Sequence, residues 1–361
     1  YLHGLVRTRD GKKMSKSVPE TCVDPLESIA EHGTDALRLA LIQGTGPGQD
    51  LRLYPEKMES CRRFANKIWN AGRYILLTIP LGTPTAPPEK VHSELAQWLL
   101  HGLNDLIRHS QTGLEAHRLS DVVDSLRSFF WGEFCDWYLE MDKKPERTDE
   151  DNQVLAYSYS TLLKLMHPYV PFVTEALWEQ FKQPKMLAVS EWPQEQSYSF
   201  SESHNRIELL REAISQIRTL REKANIGLDK KIGATLDSEK NAELFRTHQN
   251  LIIRLARLSE LEINEKTPDS SRDNLGAYFN ETLASIEASA VDWKKEIESL
   301  QKKLKTESGF VEKSLKKLKN PGFLDKAPEK VIIELREKVA STEKTLEALK
   351  LQIHELDKLV E

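Results

Sequence analysis

Lys13-Met14-Ser15-Lys16-Ser17, with Asp10-Gly11-Lys12 in front of it, has the make-up of a phosphate-handling loop. Gly11 lets the backbone turn, Lys13 and Lys16 sit three apart, and Ser15 and Ser17 add hydroxyl donors. Such a segment can follow and neutralise an anionic group whose charge changes during a reaction. A lysine loop suits a departing pyrophosphate better than a rigid cradle does. Five residues taken alone are equally compatible with a solvated surface loop, so the neighbouring sequence has to discriminate.

The neighbouring sequence carries a resemblance. His3-Gly4-Leu5-Val6-Arg7, the loop, Val23-Asp24-Pro25-Leu26, Gly33-Thr34-Asp35-Ala36-Leu37-Arg38 and Gly48-Gln49-Asp50-Leu51-Arg52 resemble the second ATP-binding signature, and the segment after it, of class I aminoacyl-tRNA synthetases. Within that class they look most like the valyl-tRNA synthetases. The resemblance implies that Lys13 and Lys16 contact the ATP phosphates and stabilise charge on the leaving pyrophosphate, with Met14, Ser15 and Ser17 completing the ATP loop. It also implies ATP with Mg2+, valine and tRNA(Val) as partners. The class's first ATP signature, His-x-Gly-His, has no match here, and neither does an editing domain. A C-terminal fragment, unable to aminoacylate on its own, is therefore expected.

Composition bounds the alternatives. With 361 residues the chain is long enough for two to three domains, and 30% of it is Asp, Glu, Lys or Arg. No apolar run approaches the roughly 18 to 20 residues that cross a membrane, and no leader opens the chain, so a cytoplasmic address without membrane contact is expected. Cys22, Cys61 and Cys135 show no metal-ligand spacing, which argues against a zinc site or a disulfide framework. The net charge of −5 means that any nucleic acid must meet a local basic patch.

The expected architecture is mainly α. Residues 1–54 read as the end of a catalytic domain, 55–224 as an anticodon-binding helical bundle, 225–290 as a small α/β module and 291–361 as a coiled-coil arm that binds tRNA. Short helices are expected from Pro25 and over Asp35 to Ile42. Gly44-Thr45-Gly46-Pro47-Gly48 breaks them as a hinge, because no strand precedes it and no Lys-Ser follows.

From Pro55 to Leu77 the spacing of Phe64, Ile68, Ala71 and Ile75 predicts a helix with one buried stripe. Other faces carry Arg63, Lys67, Arg73 and Tyr74, basic residues with one ring able to stack on an unpaired base. Phe64 to Asn70 is similar to the first anticodon-domain helix of the valyl enzymes, which implies that Lys67 and Tyr74 lie against the anticodon. Helices are further predicted at about 93–117, 120–143, from Asp149, and at about 202–224. Phe130, Phe134, Trp137 and Met141, with Trp131 and Tyr138 beside them, form an aromatic stripe read as core. Phe172, Ala176 and Phe181 are read as a continuing apolar face, and His167 as structural. Between 225 and 290, Lys231 to Leu236 and Leu258 to Ile263 flank a helix expected over 241–257.

The last 70 residues repeat in heptads. Trp293, Ile297, Leu300, Leu304, Val311 and Leu318 form one seam, with Glu307 and Ser314 falling on it; Ile332 to Val360 form a second, after the turn Asn320-Pro321-Gly322. Two such helices make an antiparallel coiled-coil hairpin similar to the valyl enzymes' C-terminal arm. Nine lysines between Lys294 and Lys319 face four glutamates, and Lys295, Lys302, Lys305, Lys316 and Lys319 share the outward side, which suits the phosphates of a tRNA body. A monomer is expected. Two other readings stay open: a non-catalytic RNA-binding coiled-coil adaptor, and a synthetase for isoleucine.

Overall fold

A computed structural model describes residues 3–14, 23–268, 276–286 and 293–318, together with residues 335, 338, 339, 342, 346 and 350. In the last helix the side chains are described from Leu300 onward, Lys303 excepted. The chain divides into two units, Tyr1–Glu208 and Leu209–Glu361.

The first unit opens with β1 (Val6–Arg7). Asp24 caps α1 (Pro25–His32), its carboxylate accepting the N–H groups of Leu26 at 2.7 Å and Glu27 at 3.3 Å. After α2 (Thr34–Ile42) the glycine run forms the turn into β2 (Leu51–Arg52), which lies parallel to β1 with Val6 opposite Leu51. α3 (Pro55–Thr78) buries Phe64, Ile68, Ala71 and Ile75, the stripe that the spacing predicts.

Gly72 allows α3 to approach its neighbours closely: a Cβ there would lie 2.5 Å from Leu177 Cδ2 and 2.6 Å from Tyr159 Oη. That hydroxyl donates at 2.8 Å to the carbonyl of Ile68, one turn back on α3.

α4 (Glu94–Glu115) and α5 (Leu119–Ser128) follow at the expected places. The chain then keeps helical sense but widens to i→i+5 hydrogen bonding over Phe129–Tyr138 before α6 (Leu139–Met141). This wider winding corrects the expected aromatic stripe. The buried column is Phe130, Phe134 and Tyr138, with centroids 5.8 and 5.9 Å apart, and Trp137 is turned to a half-buried position. Met141 is buried as expected. Tyr159 of α7 (Asp149–Met166) stacks on Phe134 at 6.1 Å. Most of α7 is buried around its whole circumference, which makes it the centre of the bundle.

α8 (Pro171–Trp178) starts where Asp35 of α2 accepts the N–H groups of Phe172 at 3.2 Å and Val173 at 2.7 Å. Burial pushes the Asp35 carboxyl above its ordinary range, and these two amides pull it back. Thr174, Leu177 and Trp178 form the buried face of α8. Phe172 is 62% exposed, which corrects the expected face: two residues before Thr174 lies about 200° round the helix. His167 is structural, its Nδ1 lying 2.8 Å from Thr174 Oγ1.

α9 (Ser201–Lys223) buries Ile207, Leu210, Ile214, Ile217 and Leu220 as expected, and the division between the units falls within it. In the second unit β3 (Ile232–Asp237), α10 (Ala242–Thr247), α11 (Gln249–Ala256), β4 (Leu258–Asn264), β5 (Gly276–Phe279) and β6 (Thr282–Ile286) form an α/β module. Its sheet order is β4-β3-β6-β5, parallel between β3 and β4 and antiparallel elsewhere. The single helix expected over 241–257 is two, interrupted at His248. Asn280 and Glu281, both at positive φ, close the β5–β6 hairpin as a two-residue turn.

α12 (Trp293–Leu318) carries the first heptad seam. Among its described side chains Leu300, Val311 and Ser314 are buried, in register with that seam. The Lys338 ammonium lies 5.4 Å over the Phe310 ring. The turn at 320–322 and most of the second heptad run lie outside the described residues. No helix among the described residues is long and apolar enough to cross a membrane.

Candidate nucleic-acid interface

The segment that leads to the lysine-serine run follows β1. Thr8 and Gly11 close a tight turn, Gly11 at φ +79°, and Lys13 returns to pair with Arg7 across an antiparallel bridge. The base of the loop is pinned. Arg7 is ion-paired with Asp50, and Asp50 also accepts the Leu5 N–H at 2.8 Å. That amide and the Arg7 guanidinium hold the Asp50 carboxyl below its usual range. Arg9 reaches Glu56 at 2.8 Å and lies 5.4 Å over the Tyr54 ring. Lys13 is exposed and Met14 half-buried; Ser15, Lys16 and Ser17 lie outside the described residues. The sequence singled out the segment around Asp50 without a role. Its role is to hold the strand from which the lysines depart.

Lys67 and Tyr74 are brought together. They line a cavity of about 210 Å³ with Asn70, Cys135, Glu140 and Lys143. Lys67, Asn70 and Tyr74 recur at three and four residues, so α3 presents them as one stripe. Arg63 continues that stripe one turn earlier and is exposed, outside the cavity. Arg73 is exposed on a neighbouring face, about 100° from Tyr74, closer to Trp69, which is 41% exposed.

The far wall comes from the widened helical stretch and α6. Asp136 accepts from the Lys67 ammonium at 3.2 Å, and Trp131 lies beneath that ammonium at 5.2 Å. Together they hold the Lys67 head at the rim. Lys143 pairs with Glu140 at 2.6 Å. Burial pushes the Cys135 thiol up to about 12, so it is a neutral wall atom and no nucleophile. The cavity offers a tyrosine ring, an amide, a carboxylate and two ammonium groups, each ammonium met by a carboxylate: aromatic surface and hydrogen-bonding groups of both kinds.

Asp136, Glu140 and Lys143 escaped the sequence reading. The Lys143-Lys144 pair next to the aromatic run was the only signal, and the winding that turns it toward α3 has no simple period.

On α12 the side chains of Lys302, Lys305 and Lys316 are exposed. Lys316 is paired with Glu312 at 2.7 Å, so its charge is partly met on its own helix. The side chain of Lys295 and all of Lys319 are outside the described residues. Among the described residues no group of three or more His, Cys, Asp or Glu side chains is placed to hold a metal ion.

Three family models match: tRNA synthetases class I (I, L, M and V) over residues 1–54, the anticodon-binding domain of tRNA ligase over 96–236, and the valyl tRNA synthetase tRNA binding arm over 292–357. A valine–tRNA ligase of Staphylococcus carnosus is 35% identical over 98% of this chain and 42% of its own length. That of Clostridium acetobutylicum is 36% identical over 98% of this chain and 41% of its own length. That of Aquifex aeolicus is 32% identical over 92% of this chain and 30% of its own. The chain thus spans less than half the length of these relatives. A solved ternary complex of LeuRS, tRNA and LeuAMS from Agrobacterium radiobacter matches 54% of this chain and 24% of that one, at 19% identity and a TM-score of 0.44.

Proposed function

We propose, for a chain that belongs to the valine–tRNA ligase family of class I synthetases, that it supplies the ATP loop and the tRNA-binding surfaces of an enzyme that activates valine with ATP and transfers it to tRNA(Val). The observation that supports this best is the meeting of Lys67, Asn70 and Tyr74 of α3 with Glu140 and Lys143 in one cavity. Tyr74 gives a splayed base its stacking face, and the polar groups around it can read the base edge.

The loop lysines complement this surface. Lys13 and Lys16 are cations, which fits ATP phosphates and does not fit a metal ligand set; Mg2+ would arrive with ATP. Their part is to lower the energy of charge gathering on pyrophosphate as it leaves, while Asp50 and Glu56 keep the strand beneath them in place.

Lys302, Lys305 and the arm positions Lys295, Lys316 and Lys319 supply charge toward the tRNA body in this reading. The Lys338–Phe310 contact brings the second heptad run against the first, as a hairpin arm requires. We place the enzyme in the cytoplasm, as a monomer. The adaptor reading gives the lysine loop no task, and relatives that are valine–tRNA ligases favour valine over isoleucine.

Tyr74→Ala should weaken tRNA(Val) binding by about 1 to 3 kcal/mol through lost base stacking, with ATP-dependent valine activation unchanged in the full-length enzyme. Titration of labelled tRNA(Val), with circular dichroism as a fold check, measures it. Unaltered affinity in a folded variant would move the anticodon surface elsewhere.

A further inference from the structure

The second unit contains a cavity of about 590 Å³ between the end of α9, the loop after it and the end of α11. Three arginines converge on it: Arg218, Arg221 and Arg257. Arg221 is 2% exposed, yet all four of its hydrogen bonds go to main-chain carbonyls. These are Arg257 at 2.8 Å, Ala256 at 3.5 Å, Gly227 at 2.9 Å and Lys230 at 2.6 Å. Its Nε is buried with no partner. Among the described residues neither Arg221 nor Arg257 is ion-paired, although Glu222 lines the cavity and Asp229 lies close enough to favour the Arg221 charge.

Part of this arrangement is a clasp. Arg218 donates twice to the Leu255 carbonyl, at 3.1 and 2.9 Å, and with Arg221 it satisfies the free carbonyls at the end of α11. Arg257 adds one bond to the clasp, its guanidinium donating to the Leu228 carbonyl, and that neutral acceptor leaves its charge unmet. That residue follows α11 at φ +55°, is exposed, and sets a second guanidinium close enough to repel Arg221. Arg221 and Arg257, bonded to carbonyls and to no carboxylate, leave positive charge at this cavity in excess of what the clasp uses, which suits an anion. Leu228 stands beside it, 69% exposed, with its carbonyl accepting from Arg257 at 2.9 Å. An apolar side chain next to guanidinium groups suits a phosphate that brings a sugar and a base with it.

We propose that this cavity binds one phosphodiester of a bound RNA, held by Arg257 and Arg218 at the rim over the buried Arg221, with the attached nucleotide against Leu228. The proposal rests on the tRNA-binding reading above and adds a contact outside both the α3 cavity and the arm. The binding constant of the full chain for tRNA(Val) should be measured across a salt series for wild type, Arg257→Gln and Leu228→Ala. Arg257 is exposed, so Arg257→Gln is expected to fold. The slope of log K against log salt should fall by about one unit in Arg257→Gln and stay unchanged in Leu228→Ala, which should lose affinity at every salt concentration.

Single methylphosphonate substitutions along the tRNA should reveal one position that weakens wild type and leaves Arg257→Gln unaffected. Inorganic phosphate alone forms the second arm. If it raises the melting temperature of wild type only, while the tRNA salt slopes are equal, the site takes free anion and the RNA assignment is overturned. Equal slopes with no phosphate effect would reduce the arginines to a clasp and overturn the site. In both cases wild-type tRNA binding still reports separately on the function proposed above.

Discussion

Valine-dependent ATP–pyrophosphate exchange by the full-length enzyme is expected to fall about a hundredfold or more in Lys16→Ala, the effect of removing one preorganised charge contact to the leaving group. Valine affinity should barely change, because the lysine acts on charge that develops only as the adenylate forms. Lys13→Ala should give a loss of the same kind. The backbone of Lys13 is bridged to Arg7, and Arg7 is tied to Asp50, so removing the Lys13 ammonium leaves its strand anchored. Exchange at the wild-type rate in either variant would sink the assignment of that lysine.

The largest effect on stability is expected at Arg147. Its guanidinium is ion-paired with the buried Asp142, and it donates to the Asn152 side chain at 2.9 Å and to the Asp151 carbonyl at 3.2 Å. Thr148 and Asp151 form a capping box at the start of α7 in the same cluster. Arg147→Met leaves the Asp142 carboxylate buried without its cation, which should cost about 3 to 5 kcal/mol in urea unfolding at neutral pH.

Burial already raises the Asp142 carboxyl above its ordinary value, and Arg147 is the main group opposing that rise. An acid with a raised folded pKa favours the folded state at low pH and loses that advantage as pH rises. The deficit of the variant should therefore shrink as the pH falls, because Asp142 takes up its proton above the ordinary carboxylate range. The double change Arg147→Met with Asp142→Asn should recover much of the loss. A deficit that ignores both pH and the second substitution would mean that Arg147 acts through packing alone.

The elements whose evidence is local were legible in the sequence. Pro55 and the spacing of Phe64, Ile68, Ala71 and Ile75 gave α3 and its buried face. Asp24 before Pro25 marked the start of α1, and the heptads marked α12. Lys67 and Tyr74 could be placed on one surface because seven residues are two helical turns. The misses share a different cause. Over Phe129–Tyr138 the hydrogen-bond pattern changes from i+4 to i+5, so a stripe counted at three and four residues drifts, and Tyr138, read as flanking the stripe, stands in the buried column while Trp137 is half-buried. Glu140 and Lys143 reach the cavity through that same winding.

Phe172 was misassigned because the start of α8 is fixed by Asp35, a carboxylate far away in the chain that no local pattern announces. The arginine cavity was hidden for a related reason. Its partners are main-chain carbonyls, which every residue carries, so nothing in the residue types from Arg218 to Arg257 reveals where they point.

Discrimination between anticodons by the chain tests the central claim most directly. The full chain should be titrated with tRNA(Val) and with the same tRNA carrying a different anticodon, at one salt concentration, for wild type and Tyr74→Ala. The wild-type chain should bind tRNA(Val) more tightly than the exchanged tRNA, and Tyr74→Ala should bind both more weakly, since stacking serves any base and the polar groups around the ring read its edge. Equal wild-type affinity for both tRNAs, or no binding to either by a folded chain, would contradict it.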